Sequence, residues 1–258
     1  MDSRALIDRR PSRSDLGPTT REYVKSMGWR SVNFHTHISL VNKYVYVEVP
    51  KAGCGTMKAT LGALEGARLN ETHAQRFLDK PHNGLKSGAH VRPYQLPSDL
   101  LEEVFTDKNY QRFTVVRDPG TRALSGYLEK ILQGLRQSEE ISAALDGKAA
   151  DTISFEEFLR VISDQQSRDQ DPHWRRQSDH IGFGIVKFDS IIHLEDLDAS
   201  WVQVAQLAST PDLDGQYYCK KSTRAGSRTG EYFTPEATQL ISQIYSDDYR
   251  NFGYSLSK

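Results

Sequence analysis

Residues 43–64 read KYVYVEVPKAGCGTMKATLGAL, and the fold class turns on how this stretch is parsed. Tyr44 to Val49 is a run of β-branched and aromatic residues broken only by Glu48, the composition of a buried strand. Pro50 cannot donate to a ladder, so the strand stops there. Gly53 and Gly55 then allow backbone angles closed to other residues. Thr56 is a good N-cap type, and a helix from that point places Met57, Leu61 and Leu64 on one face. Strand, glycine loop and helix start together make an anion cradle, because unsatisfied N–H groups and the helix dipole converge on one spot. Lys51 puts a positive charge at its mouth. The expected occupant is a phosphate or a sulfate.

The usual nucleotide loops do not fit. A Walker loop needs G-x-x-x-x-G-K-[ST], whereas here the second glycine comes too early and no Gly-Lys-Ser/Thr follows. The dinucleotide G-x-G-x-x-G fails because Lys58 stands at the third glycine. A second constellation adds to the picture. Tyr110–Val116 reads as a buried strand running into RDPGTRALSGYLEKIL, with a turn at Asp118-Pro119-Gly120 and a helix over Arg122–Leu132 that Thr121 can cap. Arg117 therefore ends a strand, the edge where open α/β sheets bind ligands. Ser125 sits one turn after Thr121. A guanidinium fork and a hydroxyl suit a second anion. Two such places suggest a ligand with two separated phosphate-like groups.

Around these motifs the chain alternates strands and helices. Residues 31–40 read as a strand that Asn42 and Lys43 turn into Tyr44–Val49, and 186–194 as a third strand after Tyr44–Val49 and Tyr110–Val116. The loop helix is expected to end near Gly62–Gly66, with 68–98 irregular. Ser154 with Glu157 forms a capping box, and Thr234 with Pro235 starts the last helix. The pattern predicts an α/β fold: a P-loop-like open parallel sheet flanked by helices in three α/β/α layers. Residues 1–30 are expected to be a flexible arm and 31–258 the domain. His35 and His37 share a strand face but lack Cys, Asp or Glu neighbours, so they read as hairpin histidines.

Composition narrows the function. With 33 basic and 34 acidic residues the net charge is −1, which removes any global electrostatic case for nucleic acid. No apolar run of about 18 residues is present, so no membrane span is expected. Cys54 and Cys219 lie far apart, outside any metal-ligand or disulfide-framework pattern, which fits a reducing compartment.

The pairing of PKAGCGTMK with FTVVRDPGTRALSGYLEK resembles the family of membrane-bound carbohydrate sulfotransferases (sulfotransferase family 2-like). DPHWRRQSD, IIHLEDLD and EYFTPE…QIYSDDYRNFGY resemble its later segments in the same order, so the likeness spans residues 43–254. It implies 3′-phosphoadenosine 5′-phosphosulfate (PAPS) as donor and a carbohydrate or related hydroxyl as acceptor. Lys51 with Ala52, Gly53, Cys54, Gly55, Thr56 and Met57 would hold the phosphosulfate, and Arg117 and Ser125 the 3′-phosphate. The basic stretch after Tyr218 resembles the family's late nucleotide-binding loop, which implies a part for Ser222, Thr223 and Arg228. Lacking an anchor and a cysteine framework, the chain departs from the membrane-bound members, and a bacterial cytoplasmic enzyme is the expectation.

Sulfuryl transfer needs in-line placement, a base for the acceptor, and stabilisation of charge on the leaving phosphate. Lys51 suits the last task, and the scheme requires no metal. His90, between the two motifs, is the expected base, with His173 next and His73, His82 and His180 behind it. Glu48 reads more ordinarily as a strand-end carboxylate paired with a nearby arginine. Arg92, Arg175 and Arg176 could pair with an acidic acceptor or simply be solvated. A non-catalytic nucleotide binder and a P-loop kinase-like phosphotransferase are the rival readings.

Overall fold

The computed structural model describes residues 14–82, 88–211, 213, 215 and 223–255. It divides into two compact units, Met1–Val116 with Ile181–Lys220, and Arg117–His180 with Lys221–Lys258.

The first unit carries a four-stranded sheet in the order β1-β2-β3-β4: Thr36–Ser39, Tyr44–Val47, Gln111–Val116 and Ser190–His193. β2, β3 and β4 run parallel, with Val47 opposite Thr114 and Val116 opposite His193. β1 is antiparallel to β2. The sheet is thus mixed. The expected turn at Asn42 and Lys43 makes β1 antiparallel, because so short a connection can only reverse the chain, and the other three strands form the parallel part. Tyr44, Tyr46, Phe113, Val115 and Ile192 project from one face and pack with Met57 and Leu61 of the helix Cys54–Ala67. Val204 and Leu207 of the helix Trp201–Leu207 join that core. Val45 and Val47 alternate to the other face. There the helix Ser98–Thr106 lies against β2 and buries Leu101, Val104 and Phe105. Helices on both faces of the sheet make the three layers.

The loop helix ends at Ala67, beside Gly66 as expected, and its glycines have a second use: a Cβ on Gly62 would lie 3.0 Å from Phe77 Cβ, and one on Gly66 2.8 Å from Phe77 Cδ2. Spaced one turn apart, the two glycines form a notch for that ring. Phe77 belongs to a helix, Glu71–Asp79, inside the stretch expected to be irregular, and Asn70 caps it by accepting from the His73 amide at 2.9 Å. Part of the stretch expected to be an N-terminal arm is folded. Pro18–Met27 is a helix with Tyr23 and Met27 buried, and Glu102 accepts from the amides of Thr19 and Thr20 at 2.9 Å each. A second helix, Trp29–His35, takes up part of the segment read as strand. Residues 1–13 lie outside the described residues.

The described residues of the second unit are helical. Tyr127, Phe155, Phe158 and Trp174 pack with Ala237 and Ile241 in its core. The Ser154–Glu157 capping box forms as predicted, and so does the Thr234 cap. After β3 the cap is Asp118 rather than Thr121: its carboxylate accepts from the Thr121 amide at 2.8 Å, and Pro119 opens the helix Pro119–Gly126. That helix then widens into a π turn over Tyr127–Ile131 instead of running on to Leu132.

Candidate active site

β2 ends at Val47, and the chain turns sharply before the helix. Lys51 and Gly53 both take left-handed backbone angles, with φ 70° and 73°. Lys51 therefore carries strain that a non-glycine residue normally avoids, a feature concentrated at functional loops. The N-cap is Gly53 and not Thr56, and it has no side chain with which to bond the first-turn amides. Helix geometry leaves those amides, beginning with Cys54 and Gly55, without partners within the helix. Two of the amides expected in the cradle are bonded within the backbone. The Ala52 amide donates to Val49 O at 3.2 Å, and the Met57 amide to Gly53 O at 3.1 Å. Ala52 and Met57 are fully buried, so they shape the loop from behind.

Beneath the loop lies a charged cluster that sequence reasoning did not assemble. Glu48, 3% exposed, is bonded through one carboxylate oxygen to Lys58 Nζ at 2.7 Å and His37 Nε2 at 2.9 Å. Burial alone would raise its carboxyl, but Lys58 and the His37 N–H hold it well below the usual carboxylate range. His37 lies in the β1–β2 hairpin as expected, but it is buried and has in Glu48 the acidic partner it was expected to lack. Burial, with the charge of Arg92 second, lowers its pKa to about 3 against the pull of Glu48, so the ring is neutral and donates. The only advance signal was Glu48 itself, a charge inside a buried-strand pattern.

His90 is also buried, with its Nε2 2.8 Å from the Tyr44 hydroxyl. Tyr44 donates to Glu65 at 3.0 Å. A hydroxyl has one proton to give, so His90 Nε2 carries the hydrogen and donates to Tyr44, which leaves the lone pair on Nδ1. Burial, then the neighbouring His37 and Arg92, keeps His90 well below the ordinary histidine range and therefore neutral.

These neutral histidines make the fold acid-sensitive. Below pH ~6.5 the unfolded chain takes up protons that the folded chain refuses, so stability is complete above that pH and falls toward pH 3. Glu48 adds a loss at lower pH, below its unfolded range near 4.5. From His37 alone, the decrease between pH 7.5 and 5 is expected to be about 2 kcal/mol. Urea midpoints at the two pH values check it, and His37→Gln should flatten the difference.

In the second unit Ser125 and Thr223, 98 residues apart, bring their hydroxyls within 3.0 Å. Ser125 is buried at the end of the helix that Asp118 caps. The backbone of Arg117 is held by Gln177, which accepts from its N–H at 2.9 Å and donates to its carbonyl at 2.8 Å. Arg228 turns onto Glu231 at 2.9 Å and over the Tyr232 ring. Ser222 lies outside the described residues.

The arginines read as either acceptor-side or solvated bond within the protein. Arg92 donates to the carbonyls of Phe34 and Thr36, at 2.9 and 3.1 Å. Arg175 donates to those of Ser167, Arg168 and Gln170, and Arg176 pairs with Asp179 and Asp247. Irregular segments leave carbonyls without ladder partners, and a planar fork of donors satisfies several of them at once. His173 is paired with Asp171 at 2.5 Å.

The site lies in an α/β protein: a mixed sheet in which a strand runs through a left-handed turn into a helix whose start has no side-chain cap. Residues 34–255 match the model of the sulfotransferase family, and the chain belongs to that family. It is similar to human carbohydrate sulfotransferase 9, with 25% identity over 272 aligned positions covering 94% of this chain and 59% of the relative. Mouse carbohydrate sulfotransferase 14 is 26% identical over 191 positions, covering 70% and 48%. Mouse carbohydrate sulfotransferase 11 is 23% identical over 245 positions, covering 86% and 67%. The chain thus spans about half to two-thirds of the length of these relatives. No solved structure matches. Among the described residues no helix is long and apolar enough to cross a membrane. The relatives are human and mouse proteins, which lends no support to the expected bacterial origin.

Proposed function

We propose that the protein transfers a sulfuryl group from PAPS to a hydroxyl of a carbohydrate acceptor. The observation that carries this reading is the Lys51–Gly53 loop, a left-handed turn opening onto a helix start with no side-chain cap, in a chain of the sulfotransferase family. The names of the similar proteins support a carbohydrate acceptor.

In this reading the phosphosulfate lies against the Lys51 side chain and the first-turn amides, while Arg117, Ser125 and Thr223 bind the 3′-phosphate. The acceptor oxygen attacks sulfur in line, and the bond from sulfur to the bridging oxygen breaks. Lys51 stabilises the charge left on the 5′-phosphate. The hydroxyl proton passes to His90 at Nδ1, with Tyr44 and Glu65 fixing the ring through Nε2. A neutral histidine at pH 7 can accept that proton, although its low basicity makes proton transfer dependent on good placement.

Labelled PAPS supplied with a panel of carbohydrate acceptors tests the reading. Label transfer is expected, and His90→Ala should lower turnover by about 10²- to 10⁴-fold with donor binding near the wild-type value. No transfer to any acceptor would remove the function. Collapse of donor binding in the variant would make His90 a structural residue.

A further inference from the structure

We propose that Gln177 is a positioning residue that sets recognition of the 3′-phosphate by orienting Arg117; the inference rests on the assignment of Arg117 to that phosphate. Arg117 is in neither regular element. Val116 is the last residue of β3, and Pro119 is the first of the next helix. Its backbone groups therefore need partners from elsewhere, and Gln177 supplies both. The side-chain oxygen accepts from the Arg117 N–H at 2.9 Å, and Nε2 donates to the Arg117 carbonyl at 2.8 Å. One amide side chain, fully buried and 60 residues away in sequence, thus completes both main-chain bonds of a single residue. It does what a neighbouring strand would do, at the point where the sheet has ended.

The clamp is itself anchored. Asp248, also fully buried, accepts from the Gln177 amide at 2.7 Å and from the Ser178 amide at 2.8 Å. The Ser178 hydroxyl donates to the same carboxylate. Burying an amide and a carboxylate is unfavourable unless their bonds are all made, and an apolar side chain would fill the space at lower cost. The arrangement gains direction. It fixes the Arg117 peptide plane, hence the line along which the side chain leaves the backbone. A guanidinium at the end of a long side chain magnifies any rotation at its root, and recognition of a phosphate by a planar fork depends on that geometry. The RRQS segment was singled out in the sequence for its likeness to a family motif, and this is a physical role for its glutamine.

Calorimetry with adenosine 3′,5′-bisphosphate and adenosine 5′-phosphate tests the inference, since the two ligands differ only in the 3′-phosphate. The ratio of affinities is compared in the full chain, Arg117→Ala, Gln177→Met and the double variant. Methionine keeps the length of the side chain and removes both bonds. The expected result is a roughly ten-fold or larger fall in the ratio for Gln177→Met, with the double variant no worse than Arg117→Ala. Loss of general stability would weaken both ligands alike and leave the ratio unchanged. If Arg117→Ala lowers the ratio and Gln177→Met does not, the positioning role is wrong. If Arg117→Ala leaves the ratio unchanged, the underlying assignment of Arg117 is wrong. Should thermal melting show that Gln177→Met does not fold, Gln177→Glu takes its place: it still accepts from the Arg117 N–H but sets a carboxylate against the Arg117 carbonyl. An unchanged ratio in that variant also overturns the proposal.

Discussion

Lys51→Ala is expected to lower turnover by about 10²- to 10³-fold, the usual cost of losing one preorganised group at a developing charge. The lysine follows Pro50 at the end of a buried strand segment and takes a left-handed angle, φ 70°, in the turn before the helix. Alanine has the same backbone restriction, so the turn is retained and the strain is nearly unchanged. The side chain is only half buried, and its loss opens no core cavity. Thermal stability should therefore stay within roughly 0.5 kcal/mol of the parent. Steady-state kinetics with PAPS and melting curves together separate the possibilities. Turnover at the parental rate would show that Lys51 is not at the leaving oxygen.

Glu48→Ala is expected to remove about 3–5 kcal/mol of stability, because it leaves buried charge without compensation. Lys58 Nζ, 2.7 Å from the carboxylate, and the N–H of His37, 2.9 Å away, lose their common partner in a region where water cannot replace it. Both groups sit directly behind the loop, one on β1 and one in the second turn of the loop helix. The loss is therefore a large part of the 5–15 kcal/mol typical of a folded domain. Adding Lys58→Met should restore part of it by removing the orphaned ammonium, and that recovery distinguishes a charge effect from a packing effect. Urea unfolding gives both quantities. A loss below about 1 kcal/mol for the single variant would mean that the cluster is solvated and contributes little.

Much of the architecture was legible from local pattern. The runs of Tyr and Val at 44–47 and of Phe, Thr and Val at 113–116 became parallel neighbours, and the glycine loop between strand and helix formed where expected. Ser154 with Glu157, and Thr234 with Pro235, cap as their residue types dictate. Errors arose where one residue type has two physical uses. Arg92 and Arg175 read as acceptor-side or solvated charges but satisfy backbone carbonyls. Thr56 and Thr121 are good cap types, yet Gly53 and Asp118 hold those positions because the chain reverses there first.

The opening stretch thus determined by itself that a strand, a lysine-bearing glycine loop and a helix follow one another. Each of these depends on residues within a few positions, whose backbone preferences and periodicity act at short range. Tertiary structure decided which side chains meet. Glu48 with His37 and Lys58, His90 with Tyr44, Ser125 with Thr223, and Gln177 with both Arg117 and Asp248 are pairings across the fold. No spacing rule specifies them. They exist because burial removes water from these polar groups and leaves them only one another as partners.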